Sequence, residues 1–305
     1  MVRLRQPRWS QPDMARPLIS VVIPTRDRCA VLRSTLESLD RQEGVSDCYE
    51  VIAVDDGSSD ETAKMLSGAR FSSFELKAIS LAPGGPARAR NRGIAEAGAE
   101  RVLLLGDDTV PTPTTLASHL KVTGDKEIAV QGLIEWDPEI GITRVMRFLA
   151  PEGPQFWFKG LEDGSPVPWT SVVSSNLSAP RLWFLEEPFD EEFSEACLED
   201  TEMVWRWARK DWRIMFSRSA LCLHRHRYDD IEPFLARQRR AGRWTRLAVR
   251  RHPALFPRLV AQPLLLAPLV AVRAGLRRFV GRGRLEDLWD LHGRFEFVRG
   301  YVFGR

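Results

Sequence analysis

Runs of branched apolar residues alternate along residues 18–123 with stretches whose apolar positions recur at helical spacing. Four short runs predict buried strands: LISVVIPT (18–25), YEVIAVDD (49–56), FELKAIS (74–80) and RVLLLGDD (101–108). The segment CAVLRSTLESLDRQ predicts the first helix, because its apolar positions recur every three to four residues. Further helices are predicted for SSDETAKMLSG, with Ser58 or Ser59 as cap and Gly68 at its end, for GGPARARNRGIAEAG, closing at Gly98, and for PTPTTLASHLK.

Strands that alternate with helices at short intervals predict an α/β fold, a Rossmann-like, mostly parallel sheet with helices on both faces. Ligands of such sheets bind at the carboxyl ends of the strands. Two pairs of aspartates, Asp55-Asp56 and Asp107-Asp108, occupy those ends. We therefore expect both pairs to reach one crevice.

The pattern loosens after about residue 135. The stretch WDPEIGITRVMRFLAPEGPQFWFKGLEDGSPVPW predicts a substrate-side loop region with exposed aromatic residues. Regular structure returns with a predicted strand in SVVSSNLSAP and a predicted helix in LEDTEMVWRWARKD, whose residues Val204, Trp207 and Ala208 face inward. A last strand, in RIMFSRSALCLHRHR, leads into a turn rich in histidine.

Charge divides the chain into a body and a tail. The tail from Leu235 has sixteen Arg and no Lys against four acidic residues, a formal +12, which leaves −9 on the preceding residues of a chain whose net charge is +3. We expect a disordered basic lead-in at 1–17, without the apolar core of a secretory signal. A body at 18–234 follows, with a nucleotide-binding half at 18–135 and an acceptor half at 136–234, and then a basic amphipathic helical tail at 235–305.

The tail contains the longest apolar stretch, LVAQPLLLAPLVAV at 259–272. It is too short to cross a bilayer, which takes about 20 residues. Its arginine neighbours are Arg250, Arg251, Arg258, Arg273, Arg277 and Arg278. It is therefore expected either to lie in an anionic membrane surface or to pack against the body, and no nucleic-acid partner is expected. Four scattered cysteines without a metal-site or redox spacing predict reduced thiols in a cytoplasmic protein.

Adjacent ionised carboxylates are costly unless a cation or hydrogen-bond donors balance them. A Mg²⁺ or Mn²⁺ ion that also binds substrate phosphates explains Asp107-Asp108, although an isolated Asp-Asp pair is typical of a solvated turn. Asp55-Asp56 in isolation would be a turn and helix cap. The presence of a pair at each of two strand ends favours a shared site, with Arg88 or Arg90 available to bind a phosphate.

Two further groups of residues have candidate chemistry. Glu199-Asp200 opens a helix, where the dipole favours carboxylates, and either residue is suited to act as a general base. His224 and His226 share one face of the last strand, where a neutral imidazole can ligate a metal. A pair of histidines is also common on surfaces and in hydrogen-bonded cores.

Six segments occur along the chain in this order: ISVVIPTRDR, VIAVDDGSSDET, GGPARARNRGI, RVLLLGDDT, NLSAPRLWFLEEPFDEEF and LEDTEMVWRWARKDW. Together, they resemble family 2 glycosyltransferases. These are inverting nucleotide-sugar enzymes with the GT-A fold, and the resemblance covers about residues 18–230. It implies a metal-dependent hexosyltransferase that uses a UDP-, dTDP- or GDP-sugar and a Mg²⁺ or Mn²⁺ ion. The basic, apolar tail leads us to expect a glycan or lipid-linked acceptor in cell-envelope polysaccharide or glycolipid synthesis.

The resemblance also implies a role for each matching residue. Asp56 faces the base or ribose, with Pro24, Thr25 and Arg26 as the other wall, and Arg90 lies near the base or diphosphate. Asp107 contacts ribose or donor, and Asp108 holds the metal with His224, for which His226 competes. Asp200 deprotonates the acceptor hydroxyl, with Glu199 as the second choice.

Two positions depart from the family pattern. Arg26-Asp27 replaces the usual Tyr-Asn, and Gly106-Asp107-Asp108 replaces the common Asp-x-Asp.

Two alternative functions remain open. A sugar-phosphate nucleotidyltransferase predicts a Gly-rich loop and Lys that IPTRDRCAV lacks. A non-catalytic nucleotide-binding, membrane-associated protein would not need Asp108 or Asp200.

Overall fold

The computed structural model describes residues 16–45, 48–123, 127–279 and 284–304. The predicted lead-in therefore lies, for residues 1–15, outside the described residues. The strands are β1 (Ile19–Thr25), β2 (Tyr49–Asp55), β3 (Glu75–Ser80), β4 (Arg101–Leu105), β5 (Thr109–Pro111), β6 (Ala129–Trp136), β7 (Asn176–Pro180) and β8 (Ile214–His224). They form one sheet in the order β3-β2-β1-β4-β7-β6-β8-β5.

Ten α-helices connect and flank these strands. They are α1 (Cys29–Leu39), α2 (Thr62–Gly68), α3 (Pro86–Glu96), α4 (Thr115–Thr123), α5 (Arg144–Leu149), α6 (Arg181–Glu186), α7 (Glu199–Arg209), α8 (Glu232–Arg251), α9 (Gln262–Phe279) and α10 (Leu285–Phe303). The count applies to the described ranges. Helices lie on both faces of the sheet, which confirms the predicted fold class.

The alternation of side chains along β1 shows why both faces need cover. Val21 and Ile23 pack with Leu32 and Leu36 of α1 on one face, whereas Val22 packs on the other face with the cluster that includes Ala87 of α3. β1, β2, β3 and β4 are mutually parallel, with β1 between β2 and β4. Because their carboxyl ends lie at one edge, the residues that follow β1, β2 and β4 converge there.

The second half of the sheet is mixed. β7 runs antiparallel to both β4 and β6, while β6 and β8 are parallel. The sequence did not predict β6 or the short strand β5. The aromatic residues predicted to be exposed in this region are mostly buried: Trp136, Phe156 and Phe158 are nearly inaccessible, whereas Trp157 is exposed. Trp136 lies on β6, which pairs with β8, and the rings of Phe156 and Phe158 contact His224 and Phe216 of β8. These contacts join residues about 58 to 88 positions apart, beyond the reach of local periodicity.

Two local predictions were wrong. Ala208 of α7 is exposed, because the buried face of that helix centres on Met203 and a position five residues further is rotated by about 140°. Neither Ser58 nor Ser59 caps α2. Their hydroxyls bond Asp55 and Asp27, and the Asp60 carboxylate instead accepts a hydrogen bond from the backbone N–H of Thr62.

The C-terminal helices pack on the body and on each other. Phe234 and Leu235, in the first turn of α8, belong to the main core. Further along, α8 lies so close to α10 that a Cβ on Gly242 would collide with the carbonyl of Phe297, and one on Gly300 with that of Arg239. Glycine at these positions therefore permits the close approach of the two helices.

One segment of the tail remains largely uncovered. The twenty residues Pro253–Val272 have a mean hydropathy of 1.7, and 12% of the segment is buried. By length and composition they are sufficient to cross a bilayer. The sequence prediction that this region is too short considered only 259–272, whereas helical structure begins earlier, at Pro253.

Candidate functional site

A cleft of about 470 Å³ opens at the carboxyl edge of the parallel strands. We call it the central cleft, and its lining includes Pro24, Asp56, Asp108, His224 and Arg237. These residues follow or end β1, β2, β4 and β8, except for Arg237, which belongs to α8. The predicted convergence of Asp56 with Asp107-Asp108 is therefore present in the fold.

Asp107 and Asp108 lie in the turn between β4 and β5, and their pKa values are shifted in opposite directions. Burial, followed by the charge of Asp108, raises the pKa of Asp107 to about 6. Burial also acts to raise the pKa of Asp108, but His224 and Arg28 outweigh it and hold that pKa far below its ordinary value. One carboxylate is thus firmly ionised, and its neighbour accepts a hydrogen bond from the Thr25 hydroxyl at 2.9 Å.

Sequence reasoning missed Arg28, the principal counter-charge of this pair. Its Nη1 lies 2.7 Å from Asp108 Oδ2 and 3.7 Å from Asp107 Oδ1. The available signal was the basic TRDR segment directly after β1, since β1 lies beside β4 and its following loop must meet the turn after β4.

His224 and His226 both lie near Asp108, at different distances. His224 Nε2 is 3.3 Å from Asp108 Oδ1, whereas His226 Nδ1 is 3.9 Å from Asp108 Oδ2. The His224 ring is held against Trp136 and Phe156, with centroids 5.1 and 5.3 Å away. Its Nδ1 is buried without a hydrogen-bond partner, so the polar interactions of the ring are on its Asp108 side.

These two residues fit a divalent cation. Adjacent ligands of an octahedral Mg²⁺ or Mn²⁺ are about 3 Å apart, close to the separation of the Asp108 and His224 atoms. Within the described ranges, no group of three or more His, Cys, Asp or Glu side chains is arranged to hold a metal. The protein would therefore provide only part of the coordination shell, as is usual for an ion that also binds phosphates and water.

Backbone hydrogen bonds hold the Asp56 side of the central cleft in place. The Asp56 carboxylate accepts hydrogen bonds from the backbone N–H groups of Gly84 and Gly85, both at 2.8 Å. Gly85 has φ of 94°, and a Cβ there would collide with the backbone of Ser194. Asp56 is therefore a buried anchor for the loop before α3 as well as a cleft residue. Pro24, Thr25 and Arg26 also line the cleft.

Arg90 reaches the central cleft but is already paired. Its Nη1 donates to Glu199 Oε1 at 2.8 Å, and its guanidinium lies 5.3 Å from the Phe189 ring centroid. Both members of the ion pair are almost completely buried. Burial raises the pKa of Glu199, and its Oε2 has no partner. The pair joins α3 to α7, and sequence reasoning had placed Arg90 at the base or diphosphate without recognising this partner.

Asp200 occupies the first turn of α7, two residues after Leu198, which has a left-handed backbone with φ of 70°. Its carboxylate accepts hydrogen bonds from the backbone N–H groups of Ser174 at 3.1 Å and of Thr201 at 2.7 Å. Neither Asp200 nor Glu199 lines the central cleft, but Ser175, next to Ser174, does. Asp200 thus lies beside the margin of the cleft at Ser175.

Several cleft residues had no signal in the sequence. Gln155 and Phe156 come from the segment predicted as an exposed loop, and Tyr228 follows the His-rich turn. Arg237 comes from the tail, which sequence reasoning treated as a separate region. Their convergence depends on how β6, β8 and α8 pack, which local patterns do not encode.

Comparison with known proteins finds similarity to glycosyltransferases. Residues 20–164 match the model of "Glycosyl transferase family 2". The chain is 28% identical over 216 residues to a validoxylamine A glucosyltransferase of Streptomyces hygroscopicus subsp. jinggangensis, covering 62% of this chain and 51% of that protein. It is 34% identical over 116 residues to a PGL/p-HBAD biosynthesis glycosyltransferase of Mycobacterium tuberculosis, covering 37% of this chain and 44% of that protein. The chain spans about half the length of the curated relatives it matches.

Solved structures share the fold at low identity. The mannosyltransferase PcManGT of Pyrobaculum calidifontis, in complex with GDP-Man and Mn²⁺, has a TM-score of 0.67 and 17% identity, covering 95% of this chain and 87% of that one. S. aureus TarS 1-349 in complex with UDP has a TM-score of 0.52 and 20% identity, covering 93% and 88%. Both coverages extend into the C-terminal helices, so the likeness in fold is not confined to the parallel half.

Proposed function

We propose that this protein, whose residues 20–164 match the model of glycosyl transferase family 2, is an inverting glycosyltransferase that moves a sugar from a nucleotide-sugar to a hydroxyl acceptor. The observation that carries the proposal is the central cleft, where Asp56, the Asp107-Asp108 pair and His224 meet at the ends of adjacent strands. A nucleoside diphosphate fits this arrangement, with its nucleoside on the Asp56 side and its phosphates on the Asp108 side.

Asp108 and His224 would hold a Mg²⁺ or Mn²⁺ ion, which when bound offsets the charge that develops on the departing diphosphate. Asp107 and Thr25 would position the donor ribose beside it. Pro24 and Arg26 would form the base-side wall with Asp56. Arg90 would lie near the base or diphosphate of the bound donor while it remains paired with Glu199.

Asp200 would take the proton of the acceptor hydroxyl, so that the acceptor oxygen attacks the anomeric carbon from the face opposite the diphosphate. A single displacement of this kind inverts the anomeric configuration. Asp200 suits the role because backbone hydrogen bonds hold its carboxylate on a rigid helix. Glu199, which is paired with Arg90, suits it less.

The first test is a screen of donors. We expect one of the UDP-, dTDP- or GDP-sugars to be hydrolysed slowly in the presence of Mn²⁺ and to raise the unfolding temperature of the protein. Binding at a hundred times the dissociation constant contributes about 2.7 kcal/mol, which a thermal scan resolves. If no nucleotide-sugar stabilises the protein or is turned over, with Mn²⁺ or Mg²⁺ present, the proposal is wrong. Selective action on nucleoside triphosphates would instead favour a nucleotidyltransferase.

The acceptor is proposed to be a cell-envelope polysaccharide or glycolipid. The tail supports this, since α9 and α10 expose large apolar side chains, among them Leu264, Leu265, Leu266, Phe295 and Phe303. An apolar groove of about 620 Å³ lies among α8, α9 and α10. Among the residues that the structure describes, Asp290 is the one carboxylate in its lining, whereas the central cleft gathers several carboxylates and two histidines. We therefore assign the chemistry to the central cleft and propose that this apolar side of the tail rests on an anionic membrane surface.

The protein would accordingly work in the cytoplasm, peripherally on the inner face of the membrane. All four cysteines are free thiols, as expected in a reducing compartment. Cys197 and Cys222 are buried, and Cys29 and Cys48 are partly buried.

Membrane binding is tested with a single charge on the apolar side. Leu265 is 75% exposed on α9. We expect Leu265→Glu to reduce pelleting with phosphatidylglycerol vesicles at least about fivefold, because a carboxylate must leave water and approach anionic headgroups. The matched control is Leu182→Glu on α6, at a site 57% exposed and away from the tail.

Removal of residues 235–305 is a poorer test, because Leu235 belongs to the main core. Equal pelleting of both variants and the wild type would contradict membrane binding through the tail.

A further inference from the structure

The arginines that line the central cleft differ in how far their charges are already balanced. Three of them face carboxylates: Arg26 faces Asp27 at 3.7 Å, Arg28 pairs with Asp108 at 2.7 Å and Arg90 pairs with Glu199 at 2.8 Å. Arg237 also lines the cleft, yet it forms no ion pair or hydrogen bond with any residue that the structure describes. An unpaired guanidinium in a cleft rich in carboxylates has the chemistry of an anion-binding group.

The position of Arg237 is defined by its helix. Phe234 and Leu235 anchor the first turn of α8 in the main core, so the half-buried side chain of Arg237 begins from a fixed backbone. Burial raises the pKa of the Cys197 thiol to about 12, and the nearby charge of Arg237 opposes that rise. Arg237 therefore stands close to the loop that contributes Ser194 to Ala196 to the cleft wall.

We infer that Arg237 binds the diphosphate of the nucleotide-sugar donor and stabilises it as it leaves. The inference rests on the proposed glycosyl transfer. In that reaction the bond between the anomeric carbon and the diphosphate oxygen breaks, and its electron pair stays on that oxygen. The acceptor oxygen forms the new bond to the carbon, and its proton passes to Asp200.

The diphosphate gains one negative charge in this step. The paired arginines must share their charge with carboxylates of the protein, whereas Arg237 can direct its full charge and its donor N–H groups at the phosphate oxygens. The tail would thus supply a catalytic residue to a cleft otherwise built by residues before Glu232. This role accounts for a basic helix that is packed on the body at its start.

The test compares the binding of nucleoside mono- and diphosphates to the full-length protein by calorimetry with Mn²⁺ present. UDP, dTDP and GDP are measured against UMP, dTMP and GMP. For the diphosphate that binds the wild type best, we expect Arg237→Ala to weaken binding about 10- to 100-fold, the effect of losing one hydrogen-bonded charge pair. The monophosphate should change less than about twofold, so the preference for the diphosphate falls.

Arg250→Ala is the matched control, because Arg250 lies on the same helix, is more exposed, and makes only a 4.0 Å ion pair with Glu192. It should bind as the wild type does. Arg237→Gln, which keeps the length of the side chain, should lose the diphosphate preference as Arg237→Ala does. A folded variant of either kind that retains the preference overturns the inference and leaves the proposed function standing. A wild type that binds none of the nucleotides overturns both.

Discussion

Asp108→Asn lowers metal-dependent turnover of the nucleotide-sugar by about 10³-fold, the largest effect expected in the central cleft. An amide oxygen is a poor substitute for a carboxylate as a ligand of a hard cation. Asp108 is also the aspartate of the pair whose pKa is held far below its ordinary value, so at neutral pH its charge is fully available. Turnover and the Mn²⁺-induced rise in unfolding temperature are the two measurements.

Without metal the same variant should be less stable than the wild type, because His224 and Arg28 hold the pKa of Asp108 far below its ordinary value and the asparagine loses their attraction. Part of that loss is offset, since the asparagine also removes the Asp108 charge that raises the pKa of Asp107. The decisive quantity is therefore the rise that Mn²⁺ adds to each protein's own metal-free unfolding temperature, and this rise should be absent in Asp108→Asn. The control is Asp211→Asn, at an exposed turn with φ of 55°, a conformation that asparagine adopts readily. If Mn²⁺ stabilises Asp108→Asn as much as the wild type, Asp108 does not hold the metal.

The parallel half of the fold was predictable because its signals are local. Each of the strands β1 to β4 was predicted within one or two residues of its observed start, and Asp56, Asp107 and Asp108 lie at the strand ends that the pattern indicated. Strand order β3-β2-β1-β4 then brings those ends together without any information from the rest of the chain.

The missed residues depend on contacts between distant segments. Arg28 and Asp108 are 80 positions apart, and Arg90 and Glu199 are 109 positions apart. An arginine on a helix has the same local pattern whether it is solvated or buried against a carboxylate. Only the packing of the loop after β1 against the turn after β4, and of α3 against α7, decides between these outcomes.

Helix α7 shows the same limit within one element. Its amphipathic pattern predicted an inward face correctly at Val204 and Trp207 and wrongly at Ala208. The buried face of α7 is instead shifted toward Met203, because Glu199 is buried with Arg90. Two carboxylates, those of Glu199 and Glu202, therefore lie on the buried face of the helix. Apolar periodicity alone cannot anticipate a buried charged residue whose partner comes from another helix.

Asp200→Asn should lower transfer to the acceptor by about 10² to 10⁴-fold while donor binding stays within about twofold of the wild type. The amide cannot take a proton, and its single oxygen can keep only one of the two hydrogen bonds that the backbone N–H groups of Ser174 and Thr201 donate to Oδ2 and Oδ1 of the carboxylate. Asp200 does not line the central cleft, so the nucleotide contacts should be unchanged. Initial rates with saturating donor, together with calorimetry of the nucleoside diphosphate, measure the two effects.

Glu199→Gln distinguishes Asp200 from Glu199 as the general base, because Glu199 forms a buried ion pair with Arg90. Loss of the Glu199 charge leaves the buried Arg90 guanidinium unpaired, at a cost of about 3 kcal/mol, and the unfolding temperature should fall by several degrees. Asp200→Asn should show a smaller fall, since it leaves no buried charge unpaired and loses one of its two backbone hydrogen bonds. If Glu199→Gln instead abolished transfer at an unchanged unfolding temperature, while Asp200→Asn stayed active, the base would be Glu199. Arg90 would then be the group that orients the base, and its buried 2.8 Å contact with Glu199 would belong to the chemistry and not only to the fold.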